Sequence, residues 1–318
     1  MVIPDGVEKI EGCAFGGMLS LKEIEIPTSL KEIPGKFCSM CTSLKKIDIP
    51  NGVETIRIQA FQGAESLEQI VIPESVVRID MEAFKNCSNL SEVQINGRPK
   101  EFSRTVFDGT AWLENYPSSF VTICGDILYR YKSEKIGEVV KEKDFPEHIR
   151  YIWSEAFQEC KCLKSLSIPD NITLNRMVYM FKNCTRLQYI KLPSSITELG
   201  TRMFFGCDQL KTLVLPDSLQ PEQMVSGWLL YETFKNGEVG VTSIENVYFG
   251  GTYDEWMKLM VKCPMDYGRL LEICKATIHF YGEEEDETLA AGEYWCFDEN
   301  GEIKVWKKEE EPSEPVAA

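Results

Sequence analysis

The chain has 318 residues, 43% of them hydrophobic and 11% aromatic, enough to build a substantial core, and its formal net charge at pH 7 is −16. Between Glu283 and Ala318 thirteen acidic residues stand against three lysines, so the body before them is only mildly acidic. Such a body lacks the Lys/Arg cluster that displaces counterions, so neither nucleic acid nor an anionic membrane surface is an expected partner. No apolar run approaches the ~20 residues of a membrane span, and no membrane insertion is expected.

Self-similarity at a fixed period appears from the first residues onward. Prolines or their substitute recur at Pro4, Pro27, Pro50, Pro73, Asn96, Pro146, Pro169, Pro193 and Pro216. An aromatic row follows at Phe15, Phe37, Phe61, Phe84, Phe107, Phe157, Phe181 and Phe204, and a leucine row at Leu21, Leu44, Leu67, Leu90, Leu113, Leu163, Leu187 and Leu210. All three rows step by 22 to 24 residues and share one jump of 50. Independent rows with a common anomaly define a repeat, and a repeat of this length is one supersecondary unit that must stack on its neighbours to bury its apolar side.

Within each unit the order of elements follows from residue chemistry. In Leu44-Lys45-Lys46-Ile47-Asp48-Ile49-Pro50 the alternation turns Ile47 and Ile49 inward and Asp48 outward, and Pro50 ends the strand because it has no N–H for the ladder. Turn formers follow, as in Asn51-Gly52 and Asp170-Asn171. A second apolar pair then faces inward, Val53 with Ile56 or Val76 with Ile79, and the Ala-Phe-x-x-Cys-x-x-Leu stretch suits one tight helical turn. Five or six large buried side chains per rung, at roughly 1.5–3 kcal/mol each, hold neighbours in register. The expected fold is therefore an α/β, β-rich, right-handed solenoid with one short parallel strand per rung of about 23 residues.

In chain order, residues 1–97 form the first rungs and 98–144 an elaborated double-length rung of the same stack, with a hairpin around Cys124-Gly125-Asp126. Residues 145–249 return to regular rungs, with the pattern degraded over 176–179 and lost over 220–231. Thr252 and Glu255 stand at capping-box spacing and open a helix to about Lys262, and a strand over 277–281 completes a small helix-strand cap spanning 250–282. Residues 283–318 form an acidic tail that carries a possible hairpin over 294–306, turned by Asp298-Glu299-Asn300-Gly301, and ends unstructured from Glu309.

The segments from Val53-Glu54-Thr55-Ile56 to Ala60-Phe61, from Val76 to Cys87 and from Ile149 to Phe157 resemble the BspA-type leucine-rich repeat. The stretches 107–117 and 120–131 resemble the long rung found in many such proteins, and Val247-Tyr248-Phe249-Gly250-Gly251-Thr252 through Trp256 resembles their terminal unit. The likeness covers about residues 1–282. It implies a non-catalytic module displayed at the bacterial surface or secreted, adhering to a protein or glycoconjugate partner. The opening Met1-Val2-Ile3-Pro4-Asp5-Gly6 carries no secretory signal and already sits on a rung, which reads as a partial gene product, or as a cytoplasmic scaffold if Met1 is the true start.

Chemistry-bearing residues offer little against this. Cys41, Cys87, Cys160, Cys184 and Cys207 share one place in their repeats, and rung-to-rung Cβ vectors run parallel where a disulfide needs convergence, so the cysteines read as reduced and buried. Cys38-Ser39-Met40-Cys41 has knuckle spacing without a second pair, and no metal or other cofactor is expected. His148, in a turn, and His279, in the closing strand, are read as surface or edge residues, so no catalytic residue is assigned; a carboxylate-dependent enzyme ranks last. The outward strand positions remain. They form one row of Glu23, Lys46, Gln69, Glu92, Ser165, Tyr189 and Thr212 and another of Glu25, Asp48, Val71, Gln94, Ser167, Lys191 and Val214. From these rows Glu23, Glu25, Lys46, Asp48, Gln69, Glu92, Gln94, Tyr189 and Lys191 are the predicted partner-binding residues of a monomer.

Overall fold

The computed structural model describes residues 1–175, 177–200, 202–220, 244–261, 276–282, 292–299 and 302–308. The expected loss of pattern beyond Gln220, the acidic run 283–287, the turn residues Asn300 and Gly301, and the tail from Glu309 lie outside them. Two compact units, Met1–Lys132 and Ser133–Ala318, divide the chain inside the 98–144 segment.

In the first unit the opening rung adds only a bridge from Val2 to Glu25, and the four rungs after it contribute two short strands each. They run β1 (Glu23–Glu25), β2 (Glu32–Ile33), β3 (Lys46–Asp48), β4 (Thr55–Ile56), β5 (Gln69–Ile72), β6 (Arg78–Ile79), β7 (Glu92–Ile95) and β8 (Glu101–Phe102). The expected strand of each rung pairs in parallel with its successor, Ile24 opposite Ile47 and Ile70 opposite Val93, with a break in the ladder between β3 and β5. The second apolar pair, expected only to point inward, forms an uninterrupted parallel ladder of its own, β2-β4-β6-β8, with Ile33, Ile56, Ile79 and Phe102 in line. Along its outer side Glu32, Arg57, Asp80, Arg78 and Glu101 alternate in charge at 2.6, 3.7, 2.6 and 2.8 Å, a network where each isolated pair would contribute little.

The Ala-Phe-x-x-Cys stretch departs from the expected helical turn. Ala60, Gln62 and Ala64 donate backwards within the rung, to the carbonyls of Arg57, Gln59 and Phe61, while Gln59, Phe61 and Gly63 donate to Met81, Ala83 and Lys85 of the next rung. A 3₁₀ turn would keep all these donors for itself. The alternation is achieved by two residues of positive φ per rung, Gln59 and Gly63 in one, Glu82 and Asn86 in the next. At Gly109 (φ +70°) a Cβ would lie 2.6 Å from Asn86 Oδ1, so glycine answers both backbone and space there.

The aromatic row becomes a column of rings. Phe61, Phe84 and Phe107 stack with centroids 5.2 and 5.6 Å apart and planes within 18°. Phe37 breaks the pattern, meeting Phe15 and Phe61 edge-on at 90° and 84°. The reason lies in the backbone. The carbonyls of Phe37, Ala60 and Ala83 all accept the equivalent rung-to-rung bond, so Phe37 holds the place of the small residue and Cys38 that of the aromatic one. The order Phe-Cys inverts Ala-Phe, which accounts for the 22- and 24-residue steps around an even 23-residue backbone.

A single helical turn, α1 (Ala111–Glu114), follows, with Thr110 accepting from the Leu113 N–H as its N-cap. The strands β9 (Phe120–Ile123) and β10 (Ile127–Tyr131) form the antiparallel hairpin, turned by Cys124 and Gly125 at positive φ and tied by Arg98 to Asp126 through 2.6 and 2.7 Å bonds.

The second unit contains β11 (Glu138–Val140), a 3₁₀ turn (Glu142–Asp144), β12 (Tyr151–Ile152), β13 (Leu163–Ser167), β14 (Thr173–Leu174), β15 (Tyr189–Lys191), β16 (Thr212–Leu215) and β17 (Asn246–Phe249). The helix α2 (Tyr253–Val261), β18 (Thr277–Tyr281), β19 (Gly292–Phe297) and β20 (Ile303–Lys308) complete it. One eight-stranded sheet runs β11-β13-β15-β16-β17-β18-β19-β20, parallel throughout except for the antiparallel last pair. The expected helix-strand segment extends this ladder, because β18 pairs with β17 in the register of a further rung. The capping box is present: the Thr252 N–H donates to Glu255 at 2.8 Å and the Glu255 N–H to Thr252 Oγ1 at 3.3 Å. Phe157, Phe181 and Phe204 continue a stacked ring column at 5.6 and 5.4 Å.

Ten described cysteines are free thiols. Cys41, Cys87, Cys184 and Cys207 each donate Sγ–H to the carbonyl of an aromatic residue one rung back, Phe15, Phe61, Phe157 and Phe181, at 3.0 to 3.2 Å. Two cysteines depart from the expected burial. Cys13 is exposed in the first rung and Cys124 is half-buried in the hairpin turn.

Three outcomes follow. Phe84→Ala, which removes the middle of the stacked column, is expected to destabilise the first unit by about 3–5 kcal/mol in denaturant unfolding. In the folded chain at pH 8 an alkylating reagent is expected to modify Cys13 but spare Cys87 and Cys184, whose thiols burial pushes up, Cys87 to about 12; peptide mapping reads the sites. Thr252→Ala is expected to cost about 0.5–2 kcal/mol. The Thr252 N–H and hydroxyl hold Glu255 below its ordinary carboxylate range, so this contribution is present above that range and is lost as pH falls through the lowered value.

Candidate binding surface

Parallel pairing in register places outward residues of successive rungs about 4.8 Å apart in rows. In the first unit Glu23 stands beside Lys46 and Gln69 beside Glu92, and in the adjacent row Glu25 beside Asp48 and Val71 beside Gln94. All eight are exposed. The cation Lys46 is already committed, since Asp48 takes its ammonium at 2.7 Å and, by that bond first and its charge second, raises the lysine's pKa. Gln94 donates to Asn96 at 2.7 Å. Glu23, Glu25, Lys46 and Asp48 rim an open depression whose floor is Ile24, Ile26 and Pro50.

Tyr189 and Lys191 lie on β15 of the second unit, in rows that read Ser165, Tyr189, Thr212, Asn246, Thr277 and Ser167, Lys191, Val214, Tyr248, His279. This face is covered. Val71 and Val214 hold equivalent outward places, yet Val71 is 48% exposed and Val214 3%. Lys191, 15% exposed, lies 2.5 Å from Glu142 and 3.6 Å from Asp170, with its ammonium over the Phe297 ring at 5.1 Å. Burial pushes the Tyr189 phenol up to about 12. His148 is exposed in its turn, whereas His279, expected at a surface or edge, is 7% exposed. Its ring stacks on Tyr248 at 4.6 Å and its Nε2 lies 3.1 Å from Asn246 Oδ1. Alternation places His279 on the outer side of β18, where strand periodicity alone gives no sign of burial. Outward apolar residues at Val214 and Tyr248 were the available signal.

Among the described residues no group of three or more His, Cys, Asp or Glu side chains is arranged to hold a metal ion, and no helix is long and apolar enough to cross a membrane. Cys38 and Cys41 of the knuckle-spaced pair are both buried in the rung core, where burial, and then the neighbouring Cys41, push the Cys38 thiol up. Asp298 accepts the Glu302 N–H through Oδ1 at 2.9 Å and so closes a strand turn.

Among solved structures the chain is similar to a leucine rich cell surface protein from Faecalibacterium prausnitzii A2-165, at 26% identity and TM-score 0.39, with 80% of this chain and 66% of that one covered. It is similar to a leucine-rich repeat protein from Bacteroides ovatus ATCC 8483 at 24% identity and TM-score 0.37, covering 70% and 62%. It also resembles the pneumococcal vaccine antigen PcpA at 18% identity and TM-score 0.40, covering 89% and 84%. The chain thus spans just under two thirds of the length of the first two. No curated protein matches it. Six copies of the BspA type leucine rich repeat region match residues 1–114 and 137–252, and the chain belongs to that family.

Proposed function

We propose that the chain is a non-catalytic binding module, displayed at a bacterial surface, that offers the outward strand face of its first unit to a protein or glycoconjugate. The observation that carries this reading is the continuous exposure of Glu23, Lys46, Gln69 and Glu92 in one row and Glu25, Asp48, Val71 and Gln94 in the next. Fixed side chains at a fixed spacing form the kind of extended surface that solenoids use for recognition. The acidic end, Glu23, Glu25 and Asp48, favours a cationic or hydrogen-bond-donating partner, and Val71 supplies an apolar contact amid polar neighbours. The depression there is open, so these carboxylates are suited to contact and not to an enclosed reaction. Tyr189 and Lys191 are assigned to this function only when their face is uncovered.

A second reading, an interaction scaffold inside the cell, draws on the ten free cysteines among the described residues, since reducing compartments keep thiols unpaired. Cell fractionation with surface protease treatment separates the two.

The binding reading is tested on an array of immobilised glycans and extracellular-matrix proteins. Reversing Glu23, Glu25 and Asp48 to lysine is expected to leave stability within about 0.5 kcal/mol, as exposed positions do, and to weaken the strongest signal at least tenfold. A signal unchanged by the triple substitution removes this face from the function, and an array without any signal removes the surface-binding reading itself.

A further inference from the structure

The second unit carries its own occupant of the strand face. The strands β19 and β20 pair antiparallel from Gly292 opposite Lys308 to Phe297 opposite Ile303. At the root, the Tyr294–Tyr281 side, Trp295 is buried, donates Nε1–H to the Phe249 carbonyl at 2.9 Å and packs edge-on against Tyr248 and Tyr281 at 5.6 and 5.5 Å. Trp306 donates to the Gly282 carbonyl at 2.8 Å and stacks on Tyr294 at 5.3 Å. From there the hairpin runs back over the ladder. Phe297 lies on Lys191 of β15, and Glu302 reaches Lys141, next to β11, at 2.8 Å. Six residues of strand reach about 20 Å, close to the five inter-strand steps of about 4.8 Å that separate β18 from β11.

We infer that this hairpin is a strap that closes the strand face of the second unit, and that it opens from its tip. The two ends differ in kind. The root is held by the buried Trp295 and the half-buried Trp306, both with satisfied indole N–H groups, and releasing it would leave large apolar rings in water. At the tip Glu302 and Lys141 form an ion pair between side chains 65% and 52% exposed, a contact that water and salt weaken. Between them Phe297 lies against a lysine already shared by Glu142 and Asp170. Opening from the tip uncovers Lys191 and then Val214, a cationic and apolar part of the row unlike the acidic face of the first unit, while Tyr248 stays against Trp295. Any partner for that row must displace the strap's own aromatic and acidic pair, Phe297 and Glu302.

The test compares two matched reporters in the full chain, V71C and V214C, by alkylation rate at each site, with Cys184 and Cys207 as internal measures of an intact stack. In the otherwise unaltered chain V214C is expected to react at least tenfold more slowly than V71C. Adding E302K, which sets two lysines against each other at the tip, is expected to speed V214C at least tenfold while Cys184 and Cys207 stay protected. The charge-swapped pair K141E/E302K is expected to restore the slow rate. Equal rates at V71C and V214C in the unaltered chain overturn the strap, and an E302K rate unchanged, or one that the swapped pair fails to slow, overturns opening from the tip.

Discussion

Each rung of this chain has a large apolar side and no means of hiding it alone, so everything else in the structure answers to contact between consecutive rungs. The constraint is visible atom by atom. A phenylalanine ring rests on the ring of the next rung at 5.2 to 5.6 Å in the stacked parts of both columns. Every second N–H of the turn beside it leaves its own rung to bond the neighbour. Even the cysteines serve this contact, with thiols that donate backwards to the rung before. Rungs therefore succeed one another at a repeat set by hydrogen bonds, and the aromatic rings accommodate to it, as the edge-on Phe37 illustrates.

This coupling leaves the outward strand positions with no part in the core, which frees them to vary. Glu23, Gln69 and Glu92 share one place across rungs and have only exposure in common. A surface released from packing in this way is available for recognition, and whether it is used depends on what lies over it. The two units answer that differently. The row containing Val71 is open, and the row containing Val214 is roofed by β19 and β20.

Local chemistry makes the rungs legible in the sequence alone. Proline stops, alternating isoleucines and the Thr252–Glu255 capping pair are rules that act within a few residues, and the strands and α2 obey them. The second ladder was half legible: Val53 and Ile56 had to point inward, but two apolar residues are too few to announce a strand. The inversion at Phe37-Cys38 hid inside the spacing, because a ring can enter the same column from either of two adjacent backbone positions. The apolar spacing of residues 59–64 suits a helical turn, since donors to another rung leave no mark on apolar periodicity. Least legible was the cover over Tyr189 and Lys191. A hairpin's alternation shows that two strands pair, whereas the surface they settle on is chosen by contacts more than a hundred residues away, Glu302 with Lys141 and Phe297 with Lys191.

The reversal of direction at β20 has a further consequence. A parallel ladder ends in a bare row of amides and carbonyls, and a repeat protein is by nature able to add one more identical layer, so such an edge invites uncontrolled end-to-end growth into fibres. Among the described strands of the eight-stranded sheet, β20 alone runs opposite to the others, and it carries Lys304 and Lys307 exposed along its length. At β20 an arriving strand would therefore meet the wrong polarity to continue the parallel series, and a positively charged border.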